Sequence, residues 1–107
     1  MPTAGDVVTV DFVGATGIKR RPAVVVSSDA YHRERPDIIL GVITSNTAAA
    51  ASSTDCILVD WKLAGLRAPS AFRAYLGMAV QSAVRPVGRL SPSDWLAVQN
   101  CVKRALA

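Results

Sequence analysis

The chain has 107 residues, half of them apolar and 6% aromatic, with a net charge of +4. That length suits one domain, 1–107, burying roughly 65% of the surface its unfolded form exposes, and the composition excludes a disordered chain. No apolar run approaches the ~20 residues of a membrane span, and Met1-Pro2-Thr3-Ala4-Gly5-Asp6 lacks the basic-then-apolar order of a signal peptide, so a cytoplasmic protein is expected.

Residues 7–13 alternate, with Val8, Val10 and Phe12 on one side and Thr9 and Asp11 on the other, the mark of a strand with one buried face. Gly14-Ala15-Thr16-Gly17 signals a turn, followed by the basic stretch Lys19-Arg20-Arg21-Pro22. Residues 23–26 form a second short apolar strand, so the two strands predict a hairpin across a Gly-rich, basic loop at 14–19. Ser28 or Asp29 caps a helical turn through His32 that ends before Pro36. Residues 38–44 are the most apolar stretch and read as a buried strand. Residues 46–54, rich in Ala and Ser, read as a mobile loop. Residues 56–61 predict a fourth strand, 62–69 a connection, and 71–80 and 84–90 the remaining strands, with Pro86 confining the last to an edge or a strand start.

The period then changes. Ser91-Pro92-Ser93-Asp94 places a capping Ser, a Pro at the first helical position and an acid three residues after the cap, a capping box with Asp in place of Glu. Trp95, Val98, Val102 and Leu106 recur at spacings of three and four, and Lys103 and Arg104 fall where the helix dipole favours cations. Five or six short strands followed by one helix, without internal repeat, predict a mainly β fold with α: a small, strongly bent barrel with the helix over an open side.

Nine of the twelve basic residues are Arg, whose planar fork matches phosphate oxygens and stacks on bases. An anionic partner such as nucleic acid or an acidic peptide therefore competes with the plainer reading that the charge aids solubility. Cys56 and Cys101 are too few and too far apart for a metal knuckle and read as buried free thiols. No metal site and no cofactor are expected. The single His32, flanked by Arg33 and Arg35, reads as a surface residue, with a catalytic role as the lesser alternative.

The order of landmarks resembles the MazF/PemK family of bacterial toxins. The matching stretches are Gly5-Asp6-Val7-Val8, then Arg20-Arg21-Pro22-Ala23-Val24-Val25-Val26-Ser27, then Ile43-Thr44-Ser45. They continue with Gly65-Leu66, Pro69-Ser70 and Arg73, and end at Val87-Gly88-Arg89-Leu90-Ser91. The resemblance as a whole runs over residues 5–106. The resemblance implies an SH3-like barrel that forms a homodimer and belongs to a type II toxin–antitoxin pair. It implies metal-independent, sequence-specific cleavage of single-stranded RNA by the ribose 2′-hydroxyl, leaving a 2′,3′-cyclic phosphate and a 5′-hydroxyl. The family's essential Arg and Ser/Thr match Arg21 and Thr44, the catalytic candidates. Arg73 matches a further family Arg near the phosphate. Lys19, Arg20, Ser45, Arg73 and Tyr75 are the substrate-binding candidates, and the expected partners are RNA and a cognate acidic antitoxin.

In-line attack builds charge on the phosphate, which Arg21 can neutralise with two parallel hydrogen bonds; Thr44 can add a third. On residue type alone, Arg21 beside Pro22 reads equally as a solvated loop residue, and Thr44 as a strand end bonding the backbone. Two departures from the family bear on proton transfer. Tyr75 stands where some members carry an acid, on Arg73's face by strand alternation, and a tyrosine is a weaker base at neutral pH than a tuned carboxylate. The loop at 14–19 is short and holds no carboxylate or His. The competing expectation is a catalytically degenerate module that binds nucleic acid or antitoxin. The same barrel also serves toxins that inhibit DNA gyrase, against which the Arg21 and Thr44 match argues.

Overall fold

The computed structural model describes residues 2–15 and 17–107, with side chains outside 12–14; the inward placement expected of Phe12 and the turn position of Thr16 lie outside the described residues. The elements run β1 (Asp6–Gly14), β2 (Gly17–Val25), α1 (Asp29–Glu34), β3 (Asp37–Thr44), β4 (Asp55–Leu58), β5 (Ser70–Val80), β6 (Arg85–Arg89) and α2 (Pro92–Ala105). Short 3-10 turns lie at Thr47–Ala49 and Gln81–Ala83. All strand pairs are antiparallel, and the sheet curls into an open half-barrel in the order β4-β5-β3-β2-β1-β6.

Alternation along the strands divides the apolar residues between two cores. On one face Val7, Val24, Ile43, Leu58 and Phe72 meet Val98 and Cys101 of α2. On the other, Val8, Val10, Ala23, Val25, Ile38 and Leu40 pack together, with Ala79 and Val84 against them. Phe72 is fully buried, and truncating such a side chain to Ala costs about 3–5 kcal/mol. Its ring occupies the space a Cβ on Gly41 would need, at a bulge where the β3–β5 register shifts between Gly41 and Val42.

Three boundaries differ from the sequence expectation. The basic stretch is strand rather than loop: Asp11 pairs with Arg20 and Val10 with Arg21, so Lys19, Arg20 and Arg21 lie on β2, and Gly14 already pairs with Gly17. This half of β2 is exposed throughout, which erases the alternation that would mark it as strand. β4 stops at Leu58 rather than Trp61, because the backbone N–H groups of Val59 and Asp60 turn away to donate to the Asp94 carboxylate at 3.0 and 2.8 Å. Asp94 therefore does not reach back to its own cap, although Ser91 Oγ accepts the Asp94 N–H at 3.2 Å as expected. The apolar stripe of α2 ends early: Leu106 is its C-cap and 59% exposed, while Cys101 is buried. Residues 46–54 carry a 3-10 turn and a set of local hydrogen bonds from Ser52 and Thr54.

Candidate active site

Strand register decides which candidates share a face. Arg21 pairs with Val10 and Ala23 with Val8, which puts Arg21 on the face of the second core, beyond its last buried residue. β2 and β3 pair as Ala23–Val42 and Val25–Leu40; continued two residues, that register sets Arg21 against Thr44. On β5, Ala71 pairs with Thr44 and Arg73 with Val42, so Arg73 is the diagonal neighbour of Thr44 on the same face, within reach of a long side chain. The bulge inserts Ala74 and Tyr75 without changing parity. Ala74 packs on the helix-side core, and Tyr75, 75% exposed, faces outward with Arg73.

Arg21 is exposed and forms no ion pair among the described residues. Thr44 Oγ1 accepts the N–H of Asn46 at 3.1 Å. That bond fixes the hydroxyl and uses one lone pair, so its own hydrogen stays free to donate outward. Arg73 is engaged by a group that sequence reasoning missed. Asp55, its direct cross-strand partner, places Oδ2 3.6 Å from Arg73 Nε, with the carboxylate side chain 5% exposed.

A cavity of about 560 Å³ opens on the other side of the same rim. Thr9, Arg20, Pro22, Ile43, Ser45, Ser70 and Val87 line it, with Leu66 and Arg67 from the turn before β5, and Arg21 contributes where β2 borders both faces. Thr44, Arg73 and Tyr75 do not line it. Arg20 is held there by Asp11 at 3.2 Å and by Thr9 Oγ1 at 3.2 Å. Lys19 is exposed farther along β2 and alternates onto Arg21's face. Arg67 was not among the sequence candidates; only the fold brings the connection before β5 beside β2.

His32 is buried rather than exposed, against expectation. Its Nε2 lies 2.6 Å from Ser27 Oγ, which also accepts the Ile39 N–H at 2.9 Å; Nδ1 lies 4.0 Å from Asp29. The series Asp29–His32–Ser27 has the order of a hydrolytic triad, but Ser27 is 5% exposed and a nucleophile must reach its substrate, so the set pins α1 to β3. Cys101 is buried and Cys56 half-buried, both free. Burial, then a hydrogen bond with Cys101, pushes the Cys56 thiol up to about 12. Among the described residues no three His, Cys, Asp or Glu side chains cluster as metal ligands, and no helix is long and apolar enough to cross a membrane.

A family model described as "PemK-like, MazF-like toxin of type II toxin-antitoxin system" matches residues 3–106. No curated protein matches the chain significantly in sequence. Among similar solved structures is an endoribonuclease in complex with its cognate antitoxin from a mycobacterial species, 15% identical, TM-score 0.77, covering 98% of this chain and 94% of that one. A MazE–MazF structure from Deinococcus radiodurans is 20% identical at TM-score 0.74, covering 99% and 95%. The toxin MazF-mt6 of Mycobacterium tuberculosis is 17% identical at TM-score 0.73, covering 94% of each chain. At these identities the likeness is one of fold.

Proposed function

The chain belongs to the PemK-like, MazF-like toxins of type II toxin–antitoxin systems, and on that basis we propose that it is a metal-independent endoribonuclease cutting single-stranded RNA. The observation that carries this reading is the strand register, which puts Arg21, Thr44 and Arg73 on one face: extended two residues past its last pair, Ala23–Val42, it brings Arg21 opposite Thr44, with Arg73 one diagonal step from Thr44. In the reaction the ribose 2′-hydroxyl gives up its proton to water and its oxygen attacks the adjacent phosphorus, as the bond to the 5′-oxygen breaks and that oxygen takes a proton from water. The products are a 2′,3′-cyclic phosphate and a 5′-hydroxyl. Arg21 neutralises the charge that builds on the phosphate oxygens, the largest single contribution such a site can make. Thr44 donates its free hydroxyl hydrogen to the same group. Arg20, Ser45 and Lys19 bind flanking nucleotides, the first two from the cavity wall and the third from Arg21's face.

A homodimer is part of this reading. Met78 and Val80 of β5 are 61% and 53% exposed, and with Leu76 and Ile39, their neighbours in register, they form an apolar strip suited to a second copy. The antitoxin is a protein with an acidic, partly disordered segment that folds across the basic rim formed by Arg20, Arg21 and Arg67. The similar mycobacterial structure is itself a complex with an antitoxin, which supports such a partner, and the reaction belongs in the cytoplasm, where mRNA is present.

The test is incubation of the purified protein with single-stranded RNA in EDTA, with end analysis of the products. Wild type is expected to yield cyclic-phosphate and 5′-hydroxyl ends, and Arg21→Ala to lose about 10²–10³-fold in rate. Absence of cleavage by wild type, or equal cleavage by the variant, overturns the reading. One observation favours a second reading, a binder without catalysis: the carboxylate in register with this row, Asp55, is already engaged by Arg73. RNA binding that weakens steeply with salt, without products, is the result that would select it.

A further inference from the structure

Arg73 and Asp55 occupy directly opposed positions on β5 and β4. The Asp55 side chain is 5% exposed and the Arg73 side chain 42%. The Arg73 Nε is itself buried and forms no hydrogen bond, its one charged neighbour being the carboxylate at 3.6 Å. Its two terminal amino groups bond nothing among the described residues. The carboxylate is anchored in turn: Oδ2 takes the Ser52 N–H at 3.4 Å, and the Asp55 N–H donates to the Ser52 carbonyl at 3.1 Å. The adjoining ladder continues through the Ala74 N–H to the Thr54 carbonyl at 3.2 Å. A carboxylate this enclosed is costly to leave unpaired, so the arginine stem is held where Asp55 is.

Between Arg73 and Thr44 stands Ala71, the direct partner of Thr44. The geometry points to Asp55 as a positioning residue: its carboxylate, 3.6 Å from Arg73 Nε, holds the guanidinium by charge and so orients its two terminal nitrogens towards an RNA phosphate lying beside Thr44. The role rests on the endoribonuclease reading and adds a residue to it. It also supplies a discriminating sign. If Asp55 acted only as a negative charge near an anionic substrate, removing it would strengthen binding and raise activity. A positioning role requires the opposite effect on turnover, because a guanidinium free to swing must be oriented again in every transition state.

The experiment measures cleavage kinetics for wild type, Asp55→Asn, Arg73→Lys, Arg73→Ala and the double variant Asp55→Asn/Arg73→Ala, together with their affinity for a fully 2′-O-methylated RNA that cannot be cut. Asp55→Asn is expected to lower kcat about tenfold without weakening binding to the methylated RNA. Arg73→Lys, which keeps the charge but lacks the Nε–H fork, is expected to fall by a similar factor, and it tests the same contact with Asp55 intact should Asp55→Asn fold poorly. The double variant is expected to be no slower than Arg73→Ala alone. Undiminished kcat in both Asp55→Asn and Arg73→Lys, or losses that multiply in the double variant, overturns the role while leaving the endoribonuclease reading standing. Absence of cleavage by wild type overturns that reading and this role with it.

Discussion

At Thr44 one hydrogen bond separates a structural from a chemical reading. Its oxygen already serves the chain by accepting the Asn46 N–H, which is the plain reading of a strand-end threonine. The hydrogen of the same hydroxyl is left unused. Replacing Thr44 by Val removes both functions, whereas Ser retains both. In the RNA assay Thr44→Val is expected to lose roughly 10–100-fold and Thr44→Ser to stay within a few-fold of wild type. Cys56 makes a pH-dependent statement. In the folded chain it is pushed up to about 12 from the ordinary thiol value of 9.0, so the neutral thiol is favoured by folding. That contribution is complete below pH 9 and is lost as pH rises from 9 towards 12. Alkylation by iodoacetamide at pH 8 is therefore expected to run about a hundredfold or more slower in the native protein than in the unfolded chain, since only thiolate reacts. A Cys56→Ser variant should lose less stability than wild type between pH 9 and 11, read by denaturant midpoints. The proposed site was only partly legible at this scale. Arg21 and Thr44 stand next to recognisable neighbours in the chain, but the ion pair of Asp55 and Arg73 joins residues on different strands, and no local pattern announces it. His32 misled for the same reason, because its partner Ser27 accepts from Ile39 of another strand.

Among the elements, those with a buried face declared themselves and those without one did not. β1 and β3 alternate or run apolar because each covers a core, and α2 shows its cap and its stripe. The outer half of β2 is paired yet exposed at every position, so its polar residues resemble a loop. β4 was overextended because its end is set from a distance, by Asp94 of α2 capturing two backbone N–H groups. That capture should be costly to remove: Asp94 is 2% exposed, and Asp94→Ala leaves two part-buried donors without their charged acceptor. A loss of about 3 kcal/mol is expected, seen as a fall in Tm of roughly 10–15 °C. Asp94→Asn, which keeps an oxygen for one of the two donors, should lose less.

For the whole molecule, the half-barrel separates two working surfaces at one rim. The Arg21–Thr44–Arg73 row looks out from one face, and the cavity with Arg20, Ser45 and Arg67 opens on the other. On the proposed function, an extended strand of RNA passing over the rim would meet both. The strip of half-buried Leu76 and exposed Met78 and Val80 is a separate surface at the far end of β5. If two copies join there, Met78→Lys places an ammonium group in the contact and should yield monomers by light scattering while leaving Tm within a few degrees of wild type. Unchanged oligomeric state in that variant would exclude this strip as the dimer contact.

The strand order has one more consequence. An open sheet ends in two strands that present unpaired backbone groups, and these invite further chains to add on. Here one end is β4, four residues long, and the other is β6, five residues with Pro86 inside and an Arg at each terminus. Neither offers a long, flat template for edge-on polymerisation. The short, interrupted edges thereby disfavour growth into a fibre and leave the broad faces as the surfaces on which copies could meet.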